Sequence, residues 1–283
     1  MHDLFSAAEN KDQIWEMSHF HFHDLCEILF ITGGSCSFLV EAEMLHATRG
    51  TLLMIKSGRL HMSTSLPEAE YTRYVINFNP ADLRPYMSGQ TDLLAAFDAE
   101  KPFLRLTEEE IARVEPLFRA CGDRSERFGT DLRRNLSFLE LLITIGELTA
   151  DNRDDREPRE TENSRNYDRV KPVISYILEH PTENMSLDSI AARFNYNKHY
   201  LCRVFKTATG ISVGKYIMSV RIQYAATCLR HGCSVQESGA MAGYRNNSNF
   251  ISTFRKAMGS SPGQYRQQYR QRFGQEDEES EKN

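Results

Sequence analysis

A self-similarity in the C-terminal third constrains this chain more than any other feature. Ser186-Leu187 aligns with Ser234-Val235, Ala191-Ala192 with Gly239-Ala240 and Tyr196 with Tyr244, all at an offset of 48. Past the next turn the offset becomes 49: Leu201 meets Phe250, Phe205 meets Phe254, Lys206 meets Arg255, Gly210 meets Gly259, Ser212 meets Ser261 and Tyr216 meets Tyr265. A period of about fifty with one extra loop residue is the trace of one supersecondary unit used twice. Each copy reads as a short helix, a tight turn and a second helix with basic residues, the outline of a helix-turn-helix.

In the first copy, Ser186 caps a helix through Phe194, Asn195-Tyr196-Asn197 turns the chain, and a second helix runs from Lys198 to Thr207. Leu201, Val204 and Phe205 form its inward stripe, which leaves Lys198, His199, Cys202, Arg203 and Lys206 as candidate DNA contacts. An Arg in such a place can bond a guanine edge bidentately, whereas Lys206 suits a phosphate. The second copy runs Ser234 to Ala242, turns at Gly243-Tyr244-Arg245-Asn246 and offers Asn247 to Met258. Its candidate base-facing residues are Asn247, Ser248, Ile251 and Ser252, with Arg255 and Lys256 near phosphate. A helix over Val213–Leu229 joins the copies, and another over Asp168–His180 precedes them with Pro172 in its first turn.

Charge supports an anionic partner for this region. Residues 167–273 carry 15 Lys+Arg against 5 Asp+Glu, the remainder 19 against 34, and the net charge is −5. The segment 151–166 has no aliphatic or aromatic residue and reads as a linker, and 274–283 as a disordered acidic tail. The six cysteines, at 26, 36, 121, 202, 228 and 233, show no paired spacing and read as reduced thiols of a cytoplasmic protein. Neither a signal peptide nor a membrane-length apolar run is visible.

The N-terminal part differs in character. Cys26–Ile31, Cys36–Val40, Thr51–Ile55 and Tyr71–Phe78 are rich in β-branched and aromatic residues and are punctuated by Gly33-Gly34, Arg49-Gly50 and Gly58. Such strands predict a small antiparallel barrel or jelly roll able to hold one ligand. Thr107-Glu108-Glu109-Glu110 forms a capping box for one helix, and Asp131–Leu148 a second with a broad apolar face. That face exceeds what one barrel needs to cover and suggests a homodimer contact, with packing against its own domain as the other possibility.

Two resemblances join these readings. His21-x-His23, Glu27 and Gly34, followed by Gly50, Gly58 and His61, resemble the two cupin motifs, with Lys56 and Ser65 where Pro and Asn are usual. In metal-binding cupins the positions matching His21, His23, Glu27 and His61 hold a divalent metal. The expectation here is effector contact, without metal or cofactor. The C-terminal region resembles the AraC/XylS family of bacterial regulators through Ser186-Leu187, Ile190-Ala191, Tyr200-Leu201, Phe205-Lys206, Gly210, Tyr216, Arg221-Ile222, Gly243-Tyr244, Phe254-Arg255-Lys256, Pro262 and Tyr265-Arg266.

The resemblances imply an α+β protein of two domains. A cupin-like sensing and dimerisation domain would span 1–150, a linker 151–166, and an all-α tandem helix-turn-helix domain 167–273. They imply a cytoplasmic, non-enzymatic transcription factor, a homodimer reading double-stranded DNA. A small effector, of which a sugar is one candidate, would control it, with RNA polymerase as a further partner if it activates. The rival reading is a metal-dependent cupin isomerase or dioxygenase with a DNA-associating C-terminal domain; a constitutive nucleoid-type binder is a third. Two departures set the copies apart. Ser238-Gly239 replaces the aliphatic-Ala pair, which predicts either a softer second copy or local repacking that compensates, and Ser252, where the first copy has Arg203, predicts a weaker base reader.

Overall fold

The computed structural model describes residues 3–12, 20–65, 70–99, 101–150, 162–183 and 185–273. They form two compact units, one from 3–12 and 23–150, the other from 20–22 and 162–273. The expected acidic tail and residues 151–161 of the expected linker lie outside the described residues.

The first unit is built on two antiparallel sheets. Strands β1 (Phe5–Asp12), β7 (Tyr71–Phe78), β2 (Cys26–Gly33), β5 (Thr51–Ile55) and β8 (Phe103–Arg105) lie in that order in one. Strands β4 (Glu43–Thr48), β3 (Ser35–Val40) and β6 (His61–Ser65) make the other. Strand periodicity explains the layers. In β2 and β5, Ile28, Phe30, Leu52 and Met54 enter one core, while Leu29, Ile31, Leu53 and Ile55 enter another. The second core is completed by Cys36, Phe38, Val40, Leu45 and Ala47, so the two sheets face each other across it as in the expected jelly roll. At Gly34, where β2 turns into β3, φ is +70° and a Cβ would lie 2.6 Å from the Glu70 carbonyl, a site only glycine fits.

The other face of the large sheet is covered by α1 (Glu108–Cys121) and α2 (Thr130–Ala150), through Ile111, Val114, Phe118, Phe138, Leu141, Leu142 and Ile145. Thr107 and Glu110 cap α1 reciprocally, as the sequence predicts.

The second unit is helical: α3 (Glu162–Glu179), α4 (Leu187–Arg193), α5 (Lys198–Thr209), α6 (Val213–Arg230), α7 (Val235–Met241), α8 (Asn247–Met258) and α9 (Pro262–Phe273). Helix α3 begins at Glu162, inside the expected linker and ahead of the expected Asp168 start. Pro172 therefore lies in its interior rather than its first turn, and cannot donate the backbone bond due to the Asp168 carbonyl. Residues 20–22 belong to this unit, and Phe20 packs edge-on to Tyr216 at 5.0 Å.

Candidate nucleic-acid interface and sensor site

The repeat seen in the sequence is a repeat in three dimensions. Asn197 and Asn246 cap α5 and α8, accepting from the backbone N–H groups of His199 and Asn249. Ser212 and Ser261 cap the helices that follow, accepting from Lys215 and Gln264. The turn residue in the left-handed region is Asn195 (φ 55°) in one unit and Gly243 (φ 79°) in the other. Both second helices end on a left-handed glycine, Gly210 and Gly259. The extra residue behind the change of offset is Arg245, placed between Tyr244 and the capping Asn246. It is exposed and makes no ion pair among the described residues.

Burial divides each second helix lengthwise. Helix α5 buries Leu201, Val204, Phe205 and Ala208, while His199, Arg203 and Lys206 are exposed and Cys202 is half-buried. Helix α8 buries Phe250 and Phe254 and exposes Asn247, Ser248, Ser252, Arg255 and Lys256, with Ile251 half-buried. Ser248, Ile251, Ser252, Arg255 and Lys256 line one shallow surface groove of about 640 Å³. Lys198 differs: its Nζ lies 2.9 Å from Asp188, which ties the head of α5 to α4. Arg203 reaches across the Tyr200 ring, 5.8 Å from its centroid.

The second copy packs differently around the substituted pair. Ser238 is fully buried, and its hydroxyl donates to the Ser234 carbonyl at 2.9 Å, so no polar group is stranded where the first copy has Ile190. Gly239 lies directly beneath the Phe250 ring. An aromatic run of Tyr244, Phe250, Phe254 and Tyr265, with successive centroids 5.3–5.6 Å apart, carries this core into α9.

In the first unit, strand β2 delivers Glu27, β6 delivers His61, and the chain just before β2 delivers His23. Glu27 and His61 are buried at 8% and 1% exposure. His21 falls in the segment 20–22 of the other unit, so the site built here is that of the remaining three. His23 Nδ1 lies 2.8 Å from the Leu25 carbonyl and His61 Nδ1 2.9 Å from that of Arg59. A carbonyl only accepts, so both Nδ1 atoms carry hydrogen and both Nε2 atoms turn to Glu27 Oε2, at 2.7 and 3.7 Å.

Burial alone would lower the His23 pKa, but the hydrogen bond and charge of Glu27 outweigh it and raise it above 6.5. Burial would likewise raise the Glu27 carboxyl. The hydrogen bond and charge of His23, with the charge of His61 close by, instead hold it well below the usual carboxylate range. The pair favours the charged form of both groups: His23 is pushed toward imidazolium and Glu27 toward carboxylate. With ligand atoms within 4.8 Å of one another and Nδ1 atoms fixed by the backbone, the three residues also fit a divalent first-row metal.

A two-sheet unit followed in the chain by a tandem helix-turn-helix unit is the plan of a DNA-binding transcriptional regulator. Residues 190–268 match the helix-turn-helix domain family and residues 5–142 the AraC-like ligand binding domain family. The chain belongs to the AraC family. It is similar to the transcriptional activator RhaR of Mannheimia succiniciproducens, at 22% identity over 278 residues, covering 95% of this chain and 96% of that one. The transcriptional activator RhaS of Escherichia fergusonii is 24% identical, with 87% of each chain covered. The HTH-type regulator YdeC of Bacillus subtilis is also 24% identical, over 87% of this chain and 85% of that one. Among solved structures, fatty-acid-bound ToxT of Vibrio cholerae matches at TM-score 0.38 and 14% identity, covering 93% of this chain and 94% of that one. No helix among the described residues is long and apolar enough to cross a membrane.

Proposed function

We propose that the chain is an effector-controlled activator working as a homodimer in the cytoplasm, with α5 and α8 entering successive major-groove segments of one DNA site. The supporting observation is the repeat-related pair of outward faces on α5 and α8, each set over a buried apolar stripe. His199, Cys202 and Arg203 meet base edges in one segment, and Asn247, Ser248, Ile251 and Ser252 in the other. Lys206, Arg245, Arg255 and Lys256 meet phosphate and supply the salt-dependent part of the affinity. Lys198 acts indirectly, by fixing α5 on α4. Activation, with contact to RNA polymerase, is supported by the activators RhaR and RhaS among the relatives.

The dimer contact is α2. Its inner face is packed at home, yet Leu132, Leu136 and Ile143 remain 44%, 56% and 41% exposed along one side. Aliphatic residues so spaced on a helix form a seam for a second copy.

The effector meets His23, Glu27 and His61. A polyhydroxyl compound such as a sugar suits them, because each hydroxyl both donates to Glu27 and accepts from His23. When bound there, a divalent metal would supply a Lewis-acid anchor for effector oxygens.

Selection of binding sites from a random DNA pool with the full chain, followed by affinity against salt, tests the reading. A defined site spanning two adjacent major-groove segments, bound less tightly as salt rises, is expected. Equal affinity for all sequences would overturn it in favour of a nucleoid-type binder. A thermal-shift panel of sugars tests the sensor, since a ligand of the folded state raises Tm.

A further inference from the structure

The end of α6 brings together two cysteines that the sequence leaves apart. Helix α6 closes on His231, and Gly232 follows in the left-handed region at φ 88°. The Cys233 N–H donates to the Cys228 carbonyl at 3.0 Å, and the Gly232 N–H to that of Leu229 at 3.2 Å. Those two bonds define a Schellman closure, in which the side chains third from the helix end and second beyond it come into contact. Here both are cysteines, and each thiol is near enough for Cys233 to bear on the ionisation of Cys228. Cys228 is 7% exposed, while Cys233 is half-buried and reachable from solvent.

We infer that Cys228 and Cys233 are a dithiol site that reacts with low-molecular-weight disulfides and closes to an intramolecular disulfide at the joint between the two DNA readers. The division of labour follows from exposure. The Cys233 thiolate attacks one sulfur of the small disulfide, forming a mixed disulfide and releasing one small thiolate. Cys228 then loses its proton and attacks the Cys233 sulfur, forming the Cys228–Cys233 bond and expelling the second small thiolate. Two cysteine thiols are oxidised by two electrons, the small disulfide is reduced to two thiols, and the two protons released end on them.

Burial raises the Cys228 pKa, which keeps this thiol inert toward bulk reagents. Contact with Cys233 gives it a high effective concentration once the mixed disulfide stands beside it. Tyr224, one turn earlier on α6, works against part of that rise. The bond would join the last turn of α6 to Cys233, immediately before Ser234, which caps α7. Arg266 of α9 already holds the Cys233 carbonyl at 3.2 Å.

The test treats the reduced full chain with glutathione disulfide without oxygen and reads thiol count, intact mass and the linked peptides. Titratable thiols should fall from six to four, with a mass loss of two hydrogens and a single 228–233 crosslink reversed by dithiothreitol. Cys228→Ser should instead retain a stable glutathione adduct on Cys233, and Cys233→Ser should leave Cys228 unmodified. Circular dichroism of each variant confirms its fold. A persistent adduct on Cys233 in the unmutated chain, or preferential reaction at Cys202, would overturn the assignment.

Discussion

Gly239 and Phe250 are a complementary pair: a Cβ on Gly239 would lie 2.7 Å from Phe250 Cδ1 and 3.0 Å from Cγ. The first copy fills the same space with Ala191 and Leu201, both buried. The volume has moved from one helix to the other, which is how a core keeps its density when its residues change.

Gly239→Ala is therefore expected to destabilise the protein, although Ala is the better helix former by about 1 kcal/mol. Overpacking costs about 1–3 kcal/mol and outweighs that gain. Adding Phe250→Leu to Gly239→Ala should recover part of the loss. Urea denaturation of the two single variants and the double variant gives the coupling, and strictly additive effects would refute the pairing.

The dimer seam proposed on α2 leads to a second expectation. Leu136→Asp should convert dimer to monomer while leaving the unit folded, because Leu136 is 56% exposed and outside the home core. Two copies of a lost leucine contact are worth about 3 kcal/mol or more, a hundredfold or greater rise in the dimer Kd. Sedimentation velocity reads the outcome, and an unchanged dimer would move the interface elsewhere.

What the sequence disclosed follows from which physical signals are local. Strands β2, β5 and β7 were legible from their apolar runs, and α5 and α8 from a repeat that carries its own caps and C-terminal glycines. Strand β1 escaped because FSAAENKD shows little apolar alternation; it is an edge strand defined by pairing with β7. The cysteine contact escaped for a related reason. Residues five apart are not helix neighbours, and only the left-handed Gly232 folds Cys233 back onto Cys228. Glu27 could be placed through its motif but not by periodicity, since β2 is buried on both faces.

The His23–Glu27 pair has a pH signature. A raised His23 pKa contributes stability present in full below 6.5 and lost as pH climbs through its folded value. A depressed Glu27 pKa contributes stability present above 4.5 and lost as pH falls through its folded value. Glu27→Gln, in protein stripped of metal with a chelator, should thus lose most between about pH 4.5 and 6.5, about 1.5–3 kcal/mol for a buried charged hydrogen bond. The deficit should shrink as pH rises through the raised folded value and His23 deprotonates in the unmutated protein. A deficit independent of pH would show that His23 and Glu27 do not share a proton in the folded state.

The two readers should differ in what they contribute to DNA recognition. Arg203 is exposed on α5 and long enough to bond a guanine edge with two donors, worth about 1–3 kcal/mol of discrimination. Ser252, its counterpart on α8, offers one hydroxyl, worth about 1 kcal/mol or less. Arg203→Ala should therefore weaken specific binding about tenfold to a hundredfold and relax preference at one base pair, while Ser252→Ala changes affinity only a few-fold. Arg245→Ala should act differently from both, lowering affinity for all sequences alike and reducing the salt slope by about one, the mark of a phosphate contact. Titrations of the selected site and of single-base variants at several salt concentrations separate these outcomes. Equal losses for Arg203→Ala and Ser252→Ala would remove the asymmetry between the readers, and a sequence-dependent loss for Arg245→Ala would place that residue at a base.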